Sequence, residues 1–588
     1  MAKKYQNTET KEDGTQIDRT NNHEFKSGKQ RRRNRNRKPK EVEVNVPSKS
    51  INLADMPHVV TTAKADNDPS WYTHIWPVVG DVAKLPFSSK VGQPINTLKV
   101  DRLSSVGTGG TYTLQTSTWA NTITGIMTLK LAPTAGFSDG PDSAINVAME
   151  QILTKQRAAN AGRINYDRTE IMFLVQAMDS AYMLYEELTR VNKIFGCYDY
   201  KNAYLPDALI QSLGFSPNLV KDWANFKKML DLFAYKLGSI NVPDQFDFIH
   251  RHIWLYTNVY KDASDSKSQF YAYVPHGYYV FKEGQENSES YLSYTTRQDL
   301  YGAQLVDSLD QIQQAIDTIM NPILGSEDLN LVSADLVKAF GEGGMIKIRP
   351  VEDNEAFAPV YSQEVLLQMM NAIIFNTNQI AGNDITVDNS NLTTGPFLVC
   401  KPTIPYTDDV AQAFTASKPI VNFIDMETTP ENILVATRLM PSVERVVSGV
   451  GSGSTAVLQI TSSGTEICAS ASLWKTNVSQ FGISTVITET RFGTNLILSG
   501  STTSAAFSAI QSYLPTIARL SQFDWAPTVK LWYSGTDGGN PAVTMIFQGF
   551  LQDLCNYRVM EDADIEGLNE VAIMSLYALK DYKTALTK

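Results

Sequence analysis

The sequence predicts an α+β protein: a largely α-helical domain followed by a β-rich module, with a disordered basic arm at the N-terminus. Three observations carry this reading. Lys29 to Lys40 reads KQRRRNRNRKPK, eight Lys or Arg in twelve positions. Apolar residues keep helical spacing through most of the stretch from Pro141 to Phe375. From Gly395 to about Phe550 the chain is instead rich in Thr, Ser, Val and Gly, with short strand-like runs.

The arm stands against the rest of the chain in charge. Residues 1–65 hold fifteen Lys or Arg and eight Asp or Glu, a net of +7; the whole chain is at −11, so the remainder carries −18. Eight cations with Asn spacers and Pro39 bury too little apolar surface to offset ordering entropy, so the run should stay solvated. Such a run calls for a polyanion. Each Lys or Arg that neutralises a phosphate releases counterions, which gives salt-sensitive binding without sequence preference. The candidate RNA-binding residues are Lys29, Arg31, Arg32, Arg33, Arg35, Arg37, Lys38 and Lys40. A plain solvated tail or a nuclear-localisation-like patch is the competing reading.

After the arm, Glu41 to Ala65 mixes short apolar pieces with Pro47 and Pro57 and reads as extended. The body begins near Trp71. TYTLQT and ITGIMTLKL, following the glycine-rich GTGGT at Gly107 to Thr111, then alternate like strands. Pro141 to Ala159 has an amphipathic face behind the start signals Ser138, Asp139 and Gly140. Asp167 to Phe195 keeps helical spacing over about seven turns, with Gly196 as a stop. Leu205 to Leu213 and Leu219 to Leu237 follow, introduced by Pro206 and by Ser216-Pro217. His250 to Phe281 is aromatic and β-branched around the polar KDASDSKS and reads as a hairpin. Helices return at Leu309 to Ile323, Asp328 to Phe340 with Ser326 as cap, and Gln363 to Phe375. FLVC, TAVLQIT, STVITETRF, NLILSG and VTMIFQGF make the later module β-rich, and the tail from Glu561 ends in a helix.

Bulk composition sets the class. At 588 residues, 43% hydrophobic and 19% charged, the chain suits several domain-sized units with large cores. No stretch approaches the ~18 to 20 apolar residues of a membrane span, and the first residues contain no apolar signal region, so synthesis in the cytosol is expected. The four cysteines are far apart, without CxxC or His at ligand spacing, and read as reduced thiols. No cofactor is expected.

Signatures of catalysis are sparse. GxSxG, HExxH and GxxxxGK[ST] are absent. GVGSGST at Gly449 to Thr455 lacks a phosphate-loop lysine and reads as a hairpin loop. His250 and His252, placed on a strand, would share one face, but no third metal ligand lies nearby. Glu561, Asp562, Asp564 and Glu566 are a solvated acidic loop or a site for a hard cation, without the EF-hand pattern. The aromatic run Tyr271, Tyr273, Tyr278, Tyr279 and Phe281 reads as core or interface. Trp254, Tyr256, Tyr271 and Tyr273 are the candidate dimer-interface residues.

Between Leu188 and Pro275 the residues carry a resemblance. NKIFGCYDYKNAYLPDALIQSLGF, VKDWANFKKMLDLFAYKLGSINVP and HRHIWLYTNVYKDASDSKSQFYAYV follow in order. The matching positions are Asn202 to Pro206, Ala208-Leu209, Leu213-Gly214, Trp254 and Asn258 to Asp262. On these the chain resembles the capsid proteins of picobirnaviruses, closely over about a sixth of its length. The resemblance implies a small icosahedral shell of quasi-equivalent dimers, two chains per asymmetric unit, enclosing double-stranded RNA. It also implies a largely helical shell domain, a projecting domain, and N-terminal self-cleavage in some members.

The expected organisation is a basic arm over 1–65, a mainly helical shell domain over 66–394 with 551–588 packing on it, and a β-rich candidate projecting domain over 395–550. The expected function is that of a structural, non-enzymatic major capsid protein, found in the virion and in the host cytoplasm during assembly. Its partners are itself, viral RNA and, when the virus enters a cell, a host membrane or receptor. Asn67 and Asp68, in the Asn-Asp-Pro of VVTTAKADNDPSWY, are the candidate self-cleavage residues. Rival readings are a partitivirus-like or other RNA-virus capsid and, from another class, a nonviral RNA-binding scaffold or an enzyme.

Overall fold

The computed structural model describes residues 125–580, apart from breaks at 199–203, 263–267, 286–287, 353–356, 391–394, 449–454, 500–519 and 537–542 and a few shorter ones; before 125 it describes six short strands. The chain divides into two units, Met1–Ser88 and Ser89–Lys588. In the first, Thr8–Thr10 and Gln16–Asp18 pair antiparallel. The run from Lys29 to Lys40, Asn67, Asp68, Trp71, Cys555 and most of GVGSGST lie outside the described residues.

In the second unit the helices that matter for the site are α1 (Ala144–Ala159), α2 (Arg168–Phe195), α3 (Trp223–Gly238), α4 (Asp247–Thr257), α5 (Leu309–Gly325), α6 (Glu327–Phe340) and α7 (Asp562–Tyr577). Helix α2, 28 residues and so about 42 Å long, is buried on nearly every face. A helix buried all round belongs at a domain centre, and α1, α3, α4, α5 and α6 pack around this one. Helix α3 shows the contrast. Phe226, Leu230, Phe233 and Leu237 form its inner stripe, whereas Leu232 and Tyr235 face outward. Ser308 and Gln311 close a capping box on α5, and Ser326 caps α6 by accepting from the Leu329 amide.

Six strands place the remaining chemistry: β1 (Ile126–Pro133), β2 (Phe270–Pro275), β3 (Gly277–Lys282), β4 (Tyr291–Thr296), β5 (Glu466–Ser479) and β6 (Gly482–Phe492). Strand β1 sits between β2, which it pairs in parallel, and β5, which it pairs antiparallel; β6 pairs with β5. Leu129 and Leu131 of β1 join the helical core. The architecture is α+β.

Four expectations need correction. Backbone pairing crosses the boundary drawn at 394/395, because β5 completes a sheet begun by β1 and β2. Residues 395–550 therefore share a sheet with the segment before them. Ile420–Phe423 also pairs with Asn556–Val559. Helix α7, in the segment expected to pack on residues 66–394, lies against α1 and α4 there. Second, the hairpin expected over His250 to Phe281 keeps only the pairing of Tyr260 and Lys261 with Tyr271 and Phe270. His250 to Thr257 is helical, since Phe248, Ile249, His252, Leu255 and Tyr256 bury one side of α4, and that periodicity outweighs β propensity. Third, the helix expected to reach Phe375 stops at Met370. Finally, the acidic cluster is a helix start and not a loop: Glu561 and Asp564 form a capping box on α7.

Candidate functional site

The placement of the candidate interface residues separates surface from core. Trp254, on the outer side of α4, is 39% exposed and rests edge-on against Tyr260. Tyr256, Tyr271 and Tyr273 are fully buried within the chain. Tyr271 and Tyr273 lie on β2, flanked by strands on both edges, and Tyr256 faces inward from α4. Their rings stabilise the fold and cannot form a surface between chains, so the dimer-interface assignment to these three is corrected.

Large apolar side chains are exposed elsewhere. Leu232 and Tyr235 on α3 are 57% and 81% exposed. Strand Val543–Phe550 lies at one edge of a three-stranded sheet and exposes Ile546, Phe547 and Phe550, with the two phenylalanine rings 5.1 Å apart. Unpaired edges bearing apolar side chains are templates for another chain.

Beneath α4 lies a buried ionic cluster that sequence reasoning missed. His252 Nδ1 is 2.6 Å from Asp179 Oδ2 of α2, and its Nε2 is 3.1 Å from Glu466 Oε1 of β5. Arg251 grips the same Glu466 with both ends of its guanidinium, Nε to Oε1 at 2.7 Å and Nη2 to Oε2 at 2.9 Å, and also donates to Gln368. Burial alone would lower the His252 pKa, but Asp179 and Glu466 outweigh it and push it up to about 9. Burial also opposes ionisation of Glu466, yet Arg251 and His252 hold its carboxyl far below the usual range. His250 points away from this cluster and meets Asp244 at 2.7 Å, so the two histidines do not share a face. Among the described residues no group of three His, Cys, Asp or Glu is placed to hold a metal.

A second buried carboxylate, Glu187 on α2, accepts from Arg297 Nε at 2.9 Å and from the hydroxyls of Tyr278 and Tyr301. Both clusters tie α2 to strands. Asp179 and Glu187 stand among apolar residues on a helix buried on all sides, and that mismatch was their only sequence signal. Neither cluster opens to a substrate; each is a rivet between layers.

Comparison with known proteins fixes the family. The family model described as the picobirnavirus capsid protein matches residues 71–536. The chain belongs to the picobirnavirus capsid protein family. The capsid protein precursor of a human picobirnavirus, strain Human/Thailand/Hy005102/-, is 24% identical to this capsid protein over 530 residues, 87% of this chain and 90% of the relative. A solved structure, the X-ray crystallographic structure of the picobirnavirus capsid, is similar with a TM-score of 0.71 at 21% identity, over 89% of this chain and all of that one. This likeness shows the fold. The capsid fold thus carries the exposed edges and buried clusters just described, and the residues joining β5 to α4 fall inside the matched span.

Proposed function

We propose that this capsid protein is the major shell subunit of a non-enveloped double-stranded RNA virus, assembling through dimers into a small icosahedral particle, with the N-terminal arm holding RNA inside. The observation that carries the proposal is the division of charge, +7 on residues 1–65 against −18 on the rest, on a chain of this family. An acidic body does not adsorb RNA on its outer face, while the arm neutralises phosphates. The virion is its place, reached through the host cytoplasm. Exposed strand Val543–Phe550 and the outer faces of α3 and α4 are the surfaces offered to a second copy, and the later strands, beyond those of the shared sheet, are the candidate projection.

Maturation belongs to the same reading. The relative's name includes the word precursor. A cut between Val59 and Trp71, at Asn67 or Asp68, would free an RNA-bound arm without touching the core. The reaction is a single turnover, because an Asn side chain attacks its own carbonyl and an Asp-Pro bond is labile. Electron microscopy of the purified protein tests the proposal: closed spherical particles are expected, and only soluble monomer at assembly concentrations rejects it.

A further inference from the structure

A cavity of about 540 Å³ lies against one side of the central sheet, under Gln211–Gly214 and the segment from Thr296 to Leu305. Its sheet wall is polar. Lys130, Trp474, Glu489 and Arg491 line it from the sheet, with Trp474 held by donation to the buried Thr128 at 2.8 Å and Glu489 by donation from the buried Ser472 at 2.7 Å. His276, Gln211–Gly214 and residues between Thr296 and Leu305 line its other sides.

The charges in the cavity do not balance. Arg297 is matched by Glu187, and Gly214, at φ +83, makes room for its guanidinium: a Cβ there would sit 2.7 Å from Nη1. Arg491 is matched by Glu489 at 3.2 Å and also donates to Asn378. Lys130 has no carboxylate within ion-pair distance among the described residues. Burial first, and then the charge of Arg491, push its pKa down to about 8. His276 uses Nδ1 on the Tyr294 hydroxyl at 2.7 Å and brings no negative charge. A half-buried ammonium beside two guanidiniums is a costly arrangement unless an anion completes it.

We propose that this cavity binds a phosphate-class oxyanion, with Lys130 and Arg491 as its principal ligands and the nearby amide of Gln211 as a further donor. With Nε on Glu489 and Nη1 on Asn378, Arg491 has the N–H groups of Nη2 to offer a tetrahedral oxyanion. The volume exceeds what one halide fills, so a free phosphate and the phosphate of a nucleotide both fit. The site is independent of the N-terminal arm and of the assembly reading above.

Thermal unfolding of the full-length protein decides it, with sodium phosphate, uridine 5′-monophosphate or sodium chloride compared at equal ionic strength. Phosphate should raise the midpoint above chloride in the wild type, and Lys130→Met and Arg491→Gln should each weaken apparent phosphate affinity at least tenfold. Lys130→Met should also unfold at a higher temperature than wild type in chloride, since it removes the unmatched charge. Because the arm is identical in all three proteins, its own phosphate binding cancels. A larger effect of the nucleotide assigns the occupant to a nucleotide, and an equal effect to phosphate alone. Equal shifts in phosphate and chloride, or a phosphate shift unchanged in both variants, overturn the proposal.

Discussion

His252 Nδ1 approaches Asp179 Oδ2 to 2.6 Å in a site where both side chains are almost wholly excluded from water. The contact makes the packing of α4 on α2 depend on a proton. His252 has a folded pKa of about 9 against an ordinary 6.5. A raised pKa means that its stabilisation is complete below about pH 6.5 and is lost as pH rises through about 9. Urea unfolding between pH 6 and 10 should show this decline, and His252→Gln should be less stable at pH 6 and flatter with pH. An unchanged slope in the variant refutes the assignment.

Glu466 is the carboxylate that Arg251 and His252 share. Replacing it with Ala leaves the buried Arg251 without a carboxylate and His252 with Asp179 alone, and should cost about 3–5 kcal/mol, measured as a lower denaturation midpoint. The same loss should loosen β5 from the body, so hydrogen exchange should quicken along β1 as well. A loss under 1 kcal/mol would place the cluster in a wetter setting than its burial implies.

Exposed and buried aromatics should respond differently to the same substitution. Phe547→Asp should dissociate dimers while preserving the folded chain, seen as a shift in sedimentation with normal circular dichroism. Tyr273→Asp, inside β2, should instead unfold the protein, because it puts a charge where no partner waits. Dimers that survive both Phe547→Asp and Tyr235→Asp would move the interface elsewhere.

Deleting Lys3 to Lys40 should lower the RNA that co-purifies with particles without abolishing dimers. For the arm as a peptide, eight phosphate contacts on single strands predict a slope of log affinity against log salt of about −6. Equal RNA content with and without the arm would remove its proposed role.

Intact-mass measurement of mature particles should find chains beginning between Val59 and Trp71. Full-length chain alone rejects cleavage. Unchanged cleavage in both Asn67→Ala and Asp68→Ala rejects the proposed chemistry.

Much of the fold was legible because period carries burial. The long helix from Asp167, the capped helix after Ser326 and the runs TYTLQT, TAVLQIT and VTMIFQGF all form as their spacing predicts. Helix α4 was misread because Ile253, Trp254, Tyr256 and Val259 favour strands, and only contact with α2 and α7 reveals which side is buried. The dimer residues failed for a related reason: aromatic content does not say whether a strand lies inside a sheet or at its edge. Beyond the charges of Asp179 and Glu187 on a buried helix, the ionic clusters left no trace in the sequence, because Asp179, His252 and Glu466 meet only through long-range packing.

Thr128 of β1 and Trp474 of β5 hydrogen-bond across 346 residues of sequence. During synthesis, the basic arm and α2 leave the ribosome long before β5 exists. The helices must therefore wait with one sheet edge open until about four-fifths of the chain has been made. Nascent chains on one message consequently expose their polycationic ends while their bodies are still unfinished. On the role proposed for the arm, RNA capture would begin on the polysome, whereas particle closure would wait for released, completed subunits.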